Sequence, residues 1–65
     1  MPLIKRGSSG KAVKIWQIIV GATVDGKFGI NTEVSTKRFQ ERHGLTTNGI
    51  VDTKVWEIGL NSVSR

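Results

Sequence analysis

The chain has no cysteine and no tyrosine, a single proline and a single histidine. Without cysteine no disulfide can staple the fold and no thiolate can hold a metal. One histidine cannot complete the three or four N, S or O ligands of the usual zinc sites. Acidic residues are scarce as well. Five Asp+Glu stand against ten Lys+Arg, for a formal net charge of +5 and a pI near 10.3. That balance favours an anionic partner such as nucleic acid, lipid headgroups or an anionic cell wall, and it is silent about the fold. The basic residues are scattered, with no run long enough to read as a tail. Long hydrophobic runs are missing too. The most apolar stretch, residues 15–22, contains Gln17 and is far short of the ~20 residues of a membrane span. Residues 1–6 lack the basic-then-apolar order of a signal peptide, so delivery outside a cell is expected to depend on something else.

What is present is a patterned chain of 65 residues. This is the length of one domain near the lower limit for a self-supporting core, burying roughly 60% of its unfolded surface. We take residues 1–65 as that domain, with a core over about 5–60. The large side chains available to it are Trp16, Phe28, Phe39 and Trp56. Residues 1–7 read as an extended lead-in with Leu3 and Ile4 against the core. Ser8 or Ser9 is expected to cap the helix that follows. From about 10 to 20, Ala12, Val13, Ile15, Trp16, Ile19 and Val20 recur at three- and four-residue steps, which predicts an amphipathic helix ending at Gly21. A second helix is predicted over about 30–42, with Asn31 or Thr32 at its start, a thin apolar stripe of Ile30, Val34 and Phe39, and Glu33–Lys37 as an i,i+4 charge pair. His43-Gly44 ends it. A third, about 53–60, is capped by Asp52 or Thr53 and buries Val55, Trp56 and Leu60, while residues 61–65 are expected to fray. The predicted class is all-α, a small three-helix bundle.

The chain also repeats itself. Val24-Asp25-Gly26-Lys27-Phe28-Gly29 contains an Asx-Gly turn followed by an apolar plug, and Asn48-Gly49-Ile50-Val51 offers another at an offset of 23 (48 − 25 = 23). The same offset pairs Lys14 with Lys37, Trp16 with Phe39, Gln17 with Gln40, Gly21 with Gly44 and Thr23 with Thr46. A lysine, an aromatic-Gln pair, a glycine and an Asx-Gly turn in one register predict a duplicated helix-turn unit. Each Gln sits at the border of a buried face. A border amide caps backbone groups of a turn or bonds a ligand's amides and hydroxyls, and the structural role is the one we prefer.

Catalytic chemistry is poorly supplied. A hydrolase needs a nucleophile or activated water, a base and a group to orient them. His43 at a helix end reads as a cation favoured by the helix dipole. Asp25, Glu33, Glu41, Asp52 and Glu57 are spread over loops and exposed faces, with no spacing that makes two of them share a cleft. The expectation is a binding module without catalytic residues, metal or cofactor. Gly26-Lys27-Phe28-Gly29 matches the GxxG clamp of single-strand nucleic-acid binders, without the strands of that fold. The paired Asp-Gly turns are similar to calcium loops, but Lys27, Phe28 and Ile30 occupy positions where ligands are needed. A helix-turn-helix reader would need a shorter connection between the second and third helices than residues 44–51.

Taken together, Gly7-Ser8-Ser9-Gly10, Val13-Lys14-Ile15-Trp16-Gln17, Val24 to Gly29, Thr32-Glu33, Thr36-Lys37-Arg38-Phe39-Gln40, His43-Gly44-Leu45, Asn48-Gly49-Ile50-Val51 and Trp56 resemble the type 1 peptidoglycan-binding domain. The match covers residues 5 to about 60. Asn48 stands where the family usually has Asp, Asp52-Thr53 replaces a common Gly-Pro, and Ser35, Thr36 and Arg38 make the second helix more polar than the commonest pattern. The resemblance implies a non-catalytic three-helix module that binds peptidoglycan, by stem peptide or glycan, and targets a linked cell-wall hydrolase such as an endolysin or amidase. It implies action at the bacterial cell wall, whether extracellular, periplasmic or delivered by phage lysis, with no membrane and no specific nucleic acid as partner. The expected contact residues are Asp25, Gly26, Lys27, Phe28, Gly29, Thr32, Arg38, Asn48 and Gly49. Two alternatives stay open: a protein–protein adaptor or pro-region-like piece of a secreted or virion assembly, and a basic nucleic-acid-binding domain.

Overall fold

The computed structural model describes residues 1–63, and three helices organise them: α1 Lys11–Val20, α2 Ile30–Arg42 and α3 Thr53–Val63. α1 packs against both other helices, because its inward stripe carries the residue around which the core closes. Trp16 is fully buried, and its indole meets Phe39 of α2 edge-on at 5.1 Å and Trp56 of α3 at 5.3 Å. Edge-to-face contacts of this kind add about 0.5–1.5 kcal/mol each beyond the area they bury. Val13, Phe28, Val51, Val55 and Ile4 complete the core.

The duplication is real in three dimensions. Gly21 ends α1 in the left-handed region at φ 75°, and Gly44 follows α2 at φ 68°. Ala22 N–H then donates to Gln17 O at 2.9 Å and, 23 positions on, Leu45 N–H donates to Gln40 O at 2.8 Å. The residues before α1 bind both turns. Gly7 N–H donates to Phe28 O and Phe28 N–H to Ser8 O, each at 2.9 Å. Ile4 exchanges backbone bonds with Val51 at 3.1 and 2.8 Å. Among the described residues these bridges are the only strand-like pairing, so the all-α reading holds.

Several local expectations are corrected. Neither Ser8 nor Ser9 caps α1; Gly10 occupies the cap position, and Ser8 Oγ instead accepts from Lys5 N–H at 3.0 Å. Gly29, with no side-chain cap, starts α2. Asp52 does cap α3, accepting from Val55 N–H at 3.0 Å. Leu3 is exposed while Ile4 is buried. Ile30 and Val34 are exposed, and the buried face of α2 is Thr32, Thr36, Phe39 and Gln40. The reason is that the threonines and the glutamine enter the core as hydrogen-bonding groups. Trp16 Nε1–H donates to Thr36 Oγ1 at 2.9 Å, and that hydroxyl donates to Thr32 O at 2.7 Å. α3 runs on to Val63 instead of fraying from Asn61, and residues 64 and 65 lie outside the described residues. Its inward position is Gly59 and not Leu60. A Cβ on Gly59 would stand 2.5 Å from Trp16 Cζ3, so the indole occupies the space a side chain would need. Glu33 takes Arg6 as its ion partner at 3.9 Å instead of Lys37. With more than half of the Arg6 side chain exposed, that pair contributes little.

Candidate functional site

Two turns, each built around one buried glutamine, dominate the loop end of the domain. Gln17 is inaccessible to solvent. Its Oε1 accepts from the backbone N–H groups of Asp25 at 3.0 Å and Gly26 at 2.9 Å. Its Nε2 donates to Asp25 Oδ1 at 2.9 Å, Lys27 O at 3.0 Å and Thr32 Oγ1 at 3.0 Å. Asp25 Oδ1 also accepts from Lys27 N–H at 2.9 Å, closing an Asx turn. The second unit repeats this. Gln40 Oε1 accepts from Gly49 N–H, its Nε2 donates to Asn48 Oδ1 and Ile50 O, and Asn48 Oδ1 accepts from Ile50 N–H, all at 2.9 Å. The structural role preferred for both glutamines is the one the geometry displays.

The glycines of the two turns are required by their backbone, and the space above them is already taken by flexible side chains. Gly26 and Gly49 have φ of 77° and 76°, a region that side chains rarely enter. A Cβ on Gly26 would also stand 3.1 Å from Lys14 Cε, and one on Gly49 3.0 Å from Glu33 Cγ and 3.3 Å from Lys37 Cε. The repeated lysines therefore lay their aliphatic stems over the turns and keep their ammonium groups in water. The Lys27 backbone N–H, followed by the Gln17 amide, holds the Asp25 carboxyl below its ordinary value of 3.8, because both donate to the ionised form.

The nine expected contact residues divide between surface and frame. Gly26, Phe28, Thr32 and Gly49 are buried: Phe28 plugs the core, Thr32 holds Gln17, and the two glycine N–H groups already have glutamine acceptors. Asp25, Lys27, Gly29, Arg38 and Asn48 are exposed. The structure does not gather these into one depression. Asp25, Lys27 and Gly29 line a shallow hollow with Asn31 and Ile30. Asn48 borders another with Thr46, Asp52 and Lys54. Arg38 lies in a third, between α1 and α2, with Arg42, His43 and Ser35. Of the residues lining that third hollow, only Arg38 is among the nine expected contacts. His43, taken there as a helix-end cation, does sit at the α2 C-cap, with its ring against Phe39 at 4.3 Å. Among the described residues no three His, Cys, Asp or Glu side chains are placed to hold a metal, and no helix is long and apolar enough to cross a membrane.

The fold is shared with solved structures, and the sequence with a known family. Residues 8–58 match the family described as "Putative peptidoglycan binding domain". The chain belongs to that family. The domain superposes on the SleB N-terminal domain with a TM-score of 0.90 at 30% identity, over 94% of this chain and 92% of that one. It is similarly close to a fused zinc-dependent amidase/peptidase/peptidoglycan-binding domain-containing protein from Clostridium acetobutylicum, with a TM-score of 0.86 and 32% identity over 89% of this chain and 28% of that one. In sequence it is 38% identical over 55 residues to the zinc D-Ala-D-Ala carboxypeptidase of Streptomyces albus G, covering 72% of this chain and 22% of that protein. The domain thus spans about a fifth of the length of the curated relative it matches.

Proposed function

We propose that this domain binds peptidoglycan without catalysing its cleavage and holds a linked cell-wall hydrolase against its substrate, outside the cytoplasmic membrane. The observation that carries the reading is the family match over residues 8–58. It is supported by relatives whose names join the same fold to amidase, peptidase and carboxypeptidase activities. The exposed members of the expected contact set, Asp25, Lys27, Gly29, Arg38 and Asn48, supply the wall contacts. Gly26, Phe28, Thr32 and Gly49 act beneath them by fixing the turns. A net charge of +5 suits an anionic wall, and it makes part of the attraction dependent on salt. Modest affinity per site is sufficient, because a polymer lattice offers many sites and tethering raises the effective concentration of the bond to be cut.

Sedimentation with purified sacculi tests this directly. The domain is expected to pellet with sacculi and to stay bound at moderate salt. Failure to sediment with sacculi from several bacterial types would sink the proposal.

A further inference from the structure

Asn48-Gly49 joins a side-chain amide to a following residue that has no Cβ. In that arrangement the next backbone nitrogen reaches the amide carbon most easily, because no side chain bars its approach and the glycine backbone is free to rotate. The chain's other asparagines, Asn31 and Asn61, precede Thr32 and Ser62 and lie within α2 and α3. The reaction open to Asn48 is deamidation. The Gly49 nitrogen loses its proton and bonds to Asn48 Cγ. The bond from Cγ to Nδ2 breaks, and the side-chain nitrogen leaves as ammonia with that proton. Water then opens the cyclic imide. Opening at Cγ gives aspartate and restores the main chain, while opening at the other carbonyl gives isoaspartate.

The second turn restrains the attack and leaves the departure free. Gly49 is buried, and its N–H donates to Gln40 Oε1 at 2.9 Å, a neutral amide oxygen that is no base for the proton. Gln40 is itself only 1% exposed, so it shields that N–H from hydroxide. Asn48 Oδ1 is fixed by Gln40 Nε2 and Ile50 N–H, both at 2.9 Å. Asn48 as a residue is exposed, and among the described residues no hydrogen bond holds its Nδ2.

We infer that Asn48 is a deamidation site gated by Gln40, reacting only when the second turn opens while the rest of the domain stays folded. Local openings cost less than global unfolding. The aspartate product fits the closed turn. Asp25 holds the equivalent place in the first turn, where its Oδ1 accepts from Gln17 Nε2 and Lys27 N–H, both at 2.9 Å. The turn therefore recloses with one negative charge added. This gate operates whatever the domain binds.

The test follows the mass gain of amide-to-acid conversion, mapped to the Asn48 peptide, in mildly alkaline buffer. The folded wild type is expected to convert at least about tenfold more slowly than the same chain in concentrated urea, since the closed turn must first lose its bonds to Gln40. Gln40→Met removes the gate and should bring Asn48 close to the unfolded rate. Gln17→Met is the control. It breaks more hydrogen bonds, five against three, but leaves the second turn intact, so it should convert more slowly than Gln40→Met. Asn48→Asp, standing in for the product, should keep the wild-type urea midpoint, and a clear fall would overturn the reclosed turn. Equal rates for folded and unfolded wild type, equal acceleration by the two glutamine variants, or no conversion even in urea would each overturn the gate. Should Gln40→Met not fold, wild type in urea below its transition decides. Conversion that tracks exchange of the Gly49 amide proton supports the gate, and conversion that tracks the unfolded fraction overturns it.

Discussion

Replacing Gln17 by methionine should show how much of the domain's stability depends on one buried amide. Methionine keeps the length and nearly the volume of the side chain, so little cavity energy enters. What is lost is a set of five hydrogen bonds. They are not equal. Gly26 is buried and its N–H has Gln17 Oε1 as its partner; orphaning such a group costs about 1–3 kcal/mol. Asp25 N–H keeps Thr23 O at 3.2 Å, Asp25 Oδ1 keeps Lys27 N–H, and the Thr32 hydroxyl keeps a long 3.5 Å bond to Lys27 O. These partly rescued groups together add about 1 kcal/mol. The expected loss for Gln17→Met is therefore about 3 kcal/mol. A chain of this length, at about 0.05–0.15 kcal/mol per residue, has a total of roughly 3–10 kcal/mol. The equivalent Gln40→Met breaks three bonds and should cost less, about 2 kcal/mol. Urea unfolding followed by the fluorescence of buried Trp16 and Trp56 measures both. The midpoint should fall with the slope unchanged. A loss below about 1 kcal/mol for Gln17→Met would mean that water replaces the amide, and that the turn does not depend on it.

Two further predictions follow from single contacts. Gly59→Ala gains about 1 kcal/mol of helix propensity but drives a methyl into the fully buried Trp16 ring, where overpacking costs about 1–3 kcal/mol. Since the indole is hemmed in by Phe39 and Trp56, the clash should win, and a melting temperature above wild type would refute that. The Asp25 carboxyl, lowered by Lys27 N–H and Gln17, contributes stability that is present above its unfolded value of about 4 and lost as pH falls through the folded value. Asp25→Asn should weaken the acid sensitivity of unfolding, and an NMR titration placing Asp25 at or above 3.8 would remove the basis for it.

Much was legible in the residues themselves. The helix periodicity, the Gly21 and His43-Gly44 stops, the Asp52 cap and the 23-residue echo are local or self-similar signals. The chain needs them to form the three helices and two turns wherever these come to lie. Even the family could be read, since its motifs are spaced along nearly the whole chain. The buried face of α2 could not. Hydrophobic periodicity counts apolar residues and finds Phe39, but the other inward positions are Thr32, Thr36 and Gln40; Gln17 and Trp16 on α1 satisfy the two threonines, and the turn at 48–50 satisfies the glutamine. The division of the nine expected contact residues also belongs to the folded state, because only packing decides which side of a tight turn faces water. Thr32 and the two turn glycines went inward with Phe28, whose place in the core the sequence already indicates, while Lys27 and Asn48 stayed out. The Arg38–Arg42 hollow is tertiary in the same sense. It exists because α1 and α2 bring Ile19 and Val20 beside two arginines 18 or more positions away, and no pattern along the chain records that meeting.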